Sequence, residues 1–419
     1  MVQRFRCLLC GEVFKEQDVG MHKMTFHHSQ KHYGIMWPLF VAPARQRLLK
    51  MVPTYTSEVI AERLGVRKVY IRDEGQNHSG SMKDYMTEMI LASGVKQSYD
   101  FFSVVSSGNH ASSLAWHTAR NKKKAVLFVP ASSSKIPFLL SLPGVFVVGI
   151  KNAIFEEVYQ LASELQLNDV YNANVSNEWC LTGFMPIAQG IAALDPAPSH
   201  VLAGAGNGSY TAGVIWGCER LGIDIPKIIP VGMKGAFPIE QAFQDNESIV
   251  EYVDFKCDEK EIDIAEGSIA IASYAMPQLM HALNVSNGFP LGSLVNDDLT
   301  IAYNTLLEDT SLITQGVIPE PTGIMGLAAA IKHQDMFGKE DVLLIPFTGH
   351  GVKDTKGMES LSASFSQLSD VAEKSRPDLL VIQDNICSKS LLLVDKTISP
   401  EELTVLCKEF IIRKESANV

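Results

Sequence analysis

From about Val66 onward, short apolar runs rich in β-branched residues alternate with longer helix-like stretches, the pattern of strands and helices in α/β layers. The runs predict strands over residues 68–71, 101–105, 125–129, 145–149, 201–204, 228–232 and 341–347. The longer stretches predict helices over 82–93, 111–120, 155–165, 210–221 and 323–332. Several of these helices open on a cluster of Gly, Ser, Thr or Asn that directly follows a strand. In an open parallel sheet such corners bind ligands, because helix N-termini present unsatisfied amides and the positive end of a dipole.

The first 35 residues break this pattern, with four of the eleven histidines and the pair Cys7 and Cys10, and read as a separate small module. Residues 36–375 carry the α/β pattern, and 376–419 form a C-terminal appendage with a strand-like run at 391–394 and a helix-like run at 400–412. At 419 residues the chain can fill two or three lobes. Its 36 Lys and Arg against 47 Asp and Glu give a net charge of −11, a field that repels nucleic acid and anionic membranes. An anionic substrate must then be captured by local dipoles or a few placed cations. The most apolar stretch, 136–150, is broken by Ser and Pro before it reaches membrane-spanning length, and no secretory signal is expected. Seven mostly scattered cysteines favour a reducing, cytoplasmic setting.

Four segments carry chemistry. Ser79, Gly80, Ser81, Met82, Lys83 and Asp84 open a helix with a lysine on its first turn, where a cation opposes the dipole. An exposed surface lysine is the bland reading. The functional one is a Schiff-base lysine whose amine is made nucleophilic by the dipole and by desolvation. Ser106, Ser107, Gly108 and Asn109 cap the helix after the strand 101–105; beyond capping, their amides suit a carboxylate and the Asn109 amide suits a phenolic oxygen. Gly204, Gly206 and Gly208 with Asn207, Ser209 and Tyr210 form a Gly-rich turn that lets backbone N–H groups reach a phosphate. A dinucleotide fingerprint is not met, because position 209 is Ser and the third glycine comes too early. Thr348, Gly349, His350, Gly351, Val352, Lys353 and Asp354 follow the strand 341–347, and Glu320, Pro321, Thr322 and Gly323 open another helix.

In this order and spacing the segments resemble the fold-type II pyridoxal-phosphate enzymes of the tryptophan synthase β superfamily, over residues 52–356. Within it, the string from Thr348 to Asp354 is similar to the TGHGLKD of threonine synthases, and Gly206, Asn207 and Gly208 to their phosphate-loop GNG. The resemblance implies two α/β lobes with open, mostly parallel sheets, pyridoxal phosphate in the cleft between them, and a homodimer. It implies that Lys83 bonds the cofactor, that Asn109 binds its 3′-oxygen, that Gly206, Asn207, Gly208, Ser209 and Tyr210 cradle its phosphate, and that Thr348 bonds the pyridine nitrogen. Ser106, Ser107 and Gly108 would receive the substrate carboxylate. The activity implied is a lyase of threonine biosynthesis, converting O-phosphohomoserine and water to threonine and phosphate. The alternatives are β-replacement or β-elimination on serine, threonine or phosphoserine, and a non-catalytic metal-binding or regulatory protein on the same fold. Met82, Tyr85 and His78 depart from the family's usual GSFKDR and preceding proline, and Ser209 and Tyr210 stand where small or aliphatic residues are commoner.

In the N-terminal module, Cys7 and Cys10 with His22 and His27 approach the ligand spacing of a zinc finger, one residue short in the middle. They are the candidate zinc ligands; solvated histidines are the alternative. DNA binding by a lone unit of this kind is not expected of an acidic chain.

Overall fold

The computed structural model describes residues 4–7, 13–15, 36–38, 52–245 apart from 107, 134, 176 and 178, then 263–268, 273, 275–361, 371, 373–379 and 390–415. Its strands are β1 (Arg4–Cys7), β2 (Val13–Lys15), β3 (Met36–Pro38), β4 (Thr54–Thr56), β5 (Lys68–Asp73), β6 (Phe101–Val105), β7 (Lys124–Pro130), β8 (Val145–Lys151), β9 (Val170–Asn172), β10 (His200–Gly204), β11 (Lys227–Met233), β12 (Leu291–Leu294), β13 (Val342–Phe347) and β14 (Leu391–Asp395). All seven predicted strands are present, with ends moved by two residues at most. The chain divides into two compact units, Met1–Met82 with Glu178–Pro377 and Lys83–Asn177 with Asp378–Val419.

The first unit holds an open six-stranded sheet in the order β12-β11-β10-β13-β5-β4. All neighbours are parallel except β4, which runs antiparallel along the edge. Strands β10 and β13 are buried along their whole length, as expected of parallel strands covered on both faces. The helices Ser209–Leu221, Met276–Ser286 and Pro321–Lys332 contribute the covering side chains, among them Val214, Ile215, Leu279, Leu283, Ile324 and Leu327, all essentially inaccessible. A separate three-stranded sheet, β2-β1-β3, is antiparallel throughout, with Phe5 opposite Phe14 and Arg6 opposite Trp37.

The second unit is an all-parallel sheet in the order β14-β8-β7-β6-β9. The C-terminal segment is built into it. Strand β14 pairs with β8, and the helix Pro400–Glu415 packs Leu403, Cys407 and Ile411 into a buried cluster with Val105, Val126, Phe128 and Val148. Each such aliphatic side chain taken from water contributes about 1.5–3 kcal/mol. No helix among the described residues is long and apolar enough to cross a membrane.

Candidate active site

In the first sheet the strand order reverses beside β13: the chain passes β4 and β5, crosses to β10, runs outward through β11 and β12, and then returns to place β13 between β10 and β5. Such a reversal opens a crevice beyond the carboxyl ends of the strands. Because β10, β13 and β5 are parallel, their carboxyl ends lie on one edge. From that edge emerge the Gly-rich loop after Gly204, the Thr348 loop after Phe347, and the loop that runs from Asp73 to Met82. Three of the four segments singled out in the sequence therefore converge at one edge of one sheet.

The loops are stitched together through their backbones. Ser81 and Gly349 form an antiparallel bridge, the Met82 N–H donates to the Thr348 carbonyl at 2.9 Å, and the His350 N–H donates to the Gly80 carbonyl at 2.9 Å. Lys353 Nζ donates to the Ser79 carbonyl at 2.8 Å. On the other side, the Glu320 N–H donates to the Gly349 carbonyl at 2.9 Å. A Cβ at Gly204 would fall 2.6 Å from the Thr322 carbonyl oxygen, so the Gly-rich strand end and the Glu320 turn touch through backbone alone. Gly208 begins the helix Ser209–Leu221 at φ 71°, in the left-handed region that favours glycine, and as N-cap it has no side chain to cap the amides that follow. The first-turn amides of a 13-residue helix, with the Ser209 hydroxyl beside them, are a donor set that fits a phosphate.

Tyr210 is buried against Phe184, and its hydroxyl donates to Glu74 Oε1 at 3.2 Å. That carboxylate, itself fully buried, also accepts from Arg72 Nε at 2.7 Å and Asn77 Nδ2 at 2.8 Å. Within the Gly-rich loop, then, the Tyr210 side chain ties the loop to the one that leads to Lys83. Neighbouring Asp73 accepts from the Gly75 N–H and from Gln76, yet burial, which outweighs these bonds, holds its carboxyl up at about 6.

In the second unit, Lys83 opens the helix Lys83–Lys96, and Asn109 opens the helix Asn109–Arg120 at the end of β6. The two helices are locked together by buried polar groups. Ser113 Oγ donates to Asp84 Oδ1 at 2.7 Å and lies 2.9 Å from Thr87 Oγ1, whose hydroxyl can donate back to it, and His117 Nε2 stands 3.2 Å from Asp84 Oδ1. Gly108, the N-cap of the second of these helices, makes no side-chain cap of its own. Sequence reading passed over His110, although it follows Asn109 directly. It is buried, and burial first, then the Lys83 charge, holds its imidazole neutral against the pull of a hydrogen bond to the Ala173 backbone. Its Nε2 is fully enclosed and makes no hydrogen bond.

Ser106 and Gly108 flank this helix end, with Ser106 Oγ accepting from the Gly108 N–H at 3.2 Å, whereas Ser107 lies outside the described residues. Of the candidate zinc ligands, Cys7 closes β1, and Cys10, His22 and His27 lie outside the described residues.

Residues 47–349 match the model of the family described as pyridoxal-phosphate dependent enzyme. The chain is 24% identical to the threonine synthase of Methanocaldococcus jannaschii over 388 residues, which covers 83% of this chain and 92% of that one. Among solved structures it is similar to the processed form of threonine deaminase isoform 2 from Solanum lycopersicum, with a TM-score of 0.57, 20% identity, and 77% of this chain and 82% of that chain covered. It is also similar to a fungal L-serine ammonia-lyase from Rhizomucor miehei, with a TM-score of 0.59, 17% identity, and 71% of this chain and 93% of that chain covered. At these identities the solved structures bear on the fold alone.

Proposed function

The chain belongs to the pyridoxal-phosphate dependent enzyme family, and from that premise we propose that it is a threonine synthase-like lyase, acting in the cytoplasm as a homodimer on O-phosphohomoserine and water. The observation that carries the proposal is the convergence of the Gly-rich loop, the Thr348 loop and the loop leading to Lys83 at one edge of a parallel sheet. The likeness of the segment from Thr348 to Asp354 to that of threonine synthases, and the relative of that name matched over 92% of its length, support the choice of reaction.

When bound, pyridoxal phosphate supplies an electron sink for negative charge that develops on the substrate carbons. Lys83 would hold the cofactor aldehyde, and its amine would carry protons between Cα, Cβ and Cγ of the substrate. It stands on the first turn of the helix Lys83–Lys96, at the positive end of the helix dipole. The N–H groups from Gly206 to Tyr210 and the Ser209 hydroxyl would hold the phosphate. Asn109 would donate its side-chain amide to the ring oxygen, and Thr348 would give the ring nitrogen a neutral partner. Ser106, Ser107 and Gly108, which precede the helix Asn109–Arg120 in the chain, would receive the substrate carboxylate.

The test is release of inorganic phosphate from O-phosphohomoserine against phosphoserine, with serine and threonine scored for keto-acid formation. Threonine and phosphate from O-phosphohomoserine alone is the expected outcome. Turnover of phosphoserine, serine or threonine in its place would make the protein a β-replacement or β-elimination enzyme.

A further inference from the structure

Arg376 is 93% enclosed, at 7% exposure, on a segment far from every motif read in the sequence. Its guanidinium reaches three backbone carbonyls of one loop: Nη1 donates to Gly75 and, at 2.9 Å, to Asn77, and Nη2 donates to His78 at 3.0 Å, and its charge also acts on the Asp73 carboxyl. The preceding residue reaches the second loop. His350 Nδ1 accepts from the Val352 N–H at 3.2 Å, so the ring proton sits on Nε2, which stands 3.1 Å from Ser375 Oγ. The two loops also press on each other, since a Cβ at Gly75 would fall 3.1 Å from the His350 Cβ. Ser375 is seated in turn, because a Cβ at Gly316 would fall 2.6 Å from its own Cβ.

We infer that Ser375 and Arg376 form a positioning strap for the cofactor lysine. Arg376 fixes the loop 75–78 and Ser375 fixes His350, and between them they hold the chain from Ser79 to Met82 that leads to Lys83. A fork of five donors suits this work, because it satisfies three carbonyls of a turn that makes few ladder bonds of its own. The inference rests on the reading of Lys83 as the cofactor residue, and it makes Ser375 and Arg376 positioning residues with no contact to reacting atoms.

The experiment uses full-length Arg376→Ala and Arg376→Lys beside the wild type. Amide hydrogen exchange of the cofactor-free proteins is read over residues 74–82, with 124–130 in the second unit as control. Capture of pyridoxal phosphate is read as the rate of appearance of its lysine-bound absorbance, with borohydride trapping to map the site. Arg376→Ala should speed exchange over 74–82 at least tenfold with no change over 124–130, and should slow capture by about a hundredfold, the penalty of a reacting group displaced by about an ångström. Arg376→Lys, with one cation and three donors, should recover part of both. Unchanged exchange over 74–82 overturns the strap whatever Lys83 does, and so does faster exchange with wild-type capture. A wild type that takes pyridoxal phosphate on no lysine sinks the cofactor reading instead, and the exchange comparison still decides whether the strap holds the loop. If Arg376→Ala fails to fold, Ser375→Ala is read in the same way over 348–352, where the strap predicts faster exchange and an unchanged profile overturns it.

Discussion

Glu74 and Tyr210 stand 136 residues apart in the chain, and their hydrogen bond is what gives an otherwise odd loop residue its purpose. The sequence marks Tyr210 as a departure from the small residues usual at its position, and local pattern carries no sign of the buried carboxylate it meets. Tyr210→Phe keeps the ring against Phe184 and removes one donor from Glu74, so it should cost about 1.5–3 kcal/mol, as for a hydrogen bond to a charged group. Urea unfolding measures this, and an unchanged midpoint would mean that the bond contributes nothing. Asp73 gives a prediction in pH. Its folded carboxyl titrates at about 6 against an ordinary 3.8, so the folded protein holds that proton more tightly than the unfolded chain. Stability from this group is therefore greatest below the ordinary value and falls as pH rises through the window up to about 6, by up to about 1.4 kcal/mol per pH unit. Asp73→Asn, which still accepts from the Gly75 N–H, should flatten the fall of the urea midpoint between pH 4 and 6; identical slopes in both proteins would rule the titration out.

The parallel strands were legible because burial on both faces leaves them as unbroken apolar runs, which is why β7, β8, β11 and β13 stand out in the sequence. Three-residue β4 and β9 are too short for any periodicity to show. The C-terminal strand and helix were visible as elements, but their place was not, because pairing of β14 with β8 joins residues about 240 positions apart and no local signal encodes it. That packing is testable. Leu403 is fully buried, and Leu403→Ala should destabilise the second unit by about 2–5 kcal/mol, the usual cost of such a truncation; a loss below 1 kcal/mol by calorimetry would mean that the helix is a loose appendage. In the Gly-rich loop, Gly208→Ala forces a side chain into the left-handed region and sets its Cβ 2.4 Å from Leu279 Cδ2. Pyridoxal phosphate affinity should fall at least tenfold as the amides are pulled out of line, and wild-type affinity by equilibrium dialysis would take the phosphate site elsewhere.

An acidic protein that handles a phosphorylated cofactor has to do so locally, with helix ends and backbone amides in place of a basic field. That logic is readable from composition and motif order, and it led from scattered segments to the fold. The supports were not readable. Glu74, His110, Ser375 and Arg376 do their work through contacts that join remote parts of the chain, and only His110 lies beside a motif. The claim on which everything else depends is that Lys83 is the amine that bonds the cofactor. Borohydride reduction of the protein loaded with pyridoxal phosphate, followed by proteolysis and mass mapping, should place the phosphopyridoxyl group on Lys83 and leave Lys83→Ala unmodified. The same adduct on another lysine, or its persistence in Lys83→Ala, would contradict the account.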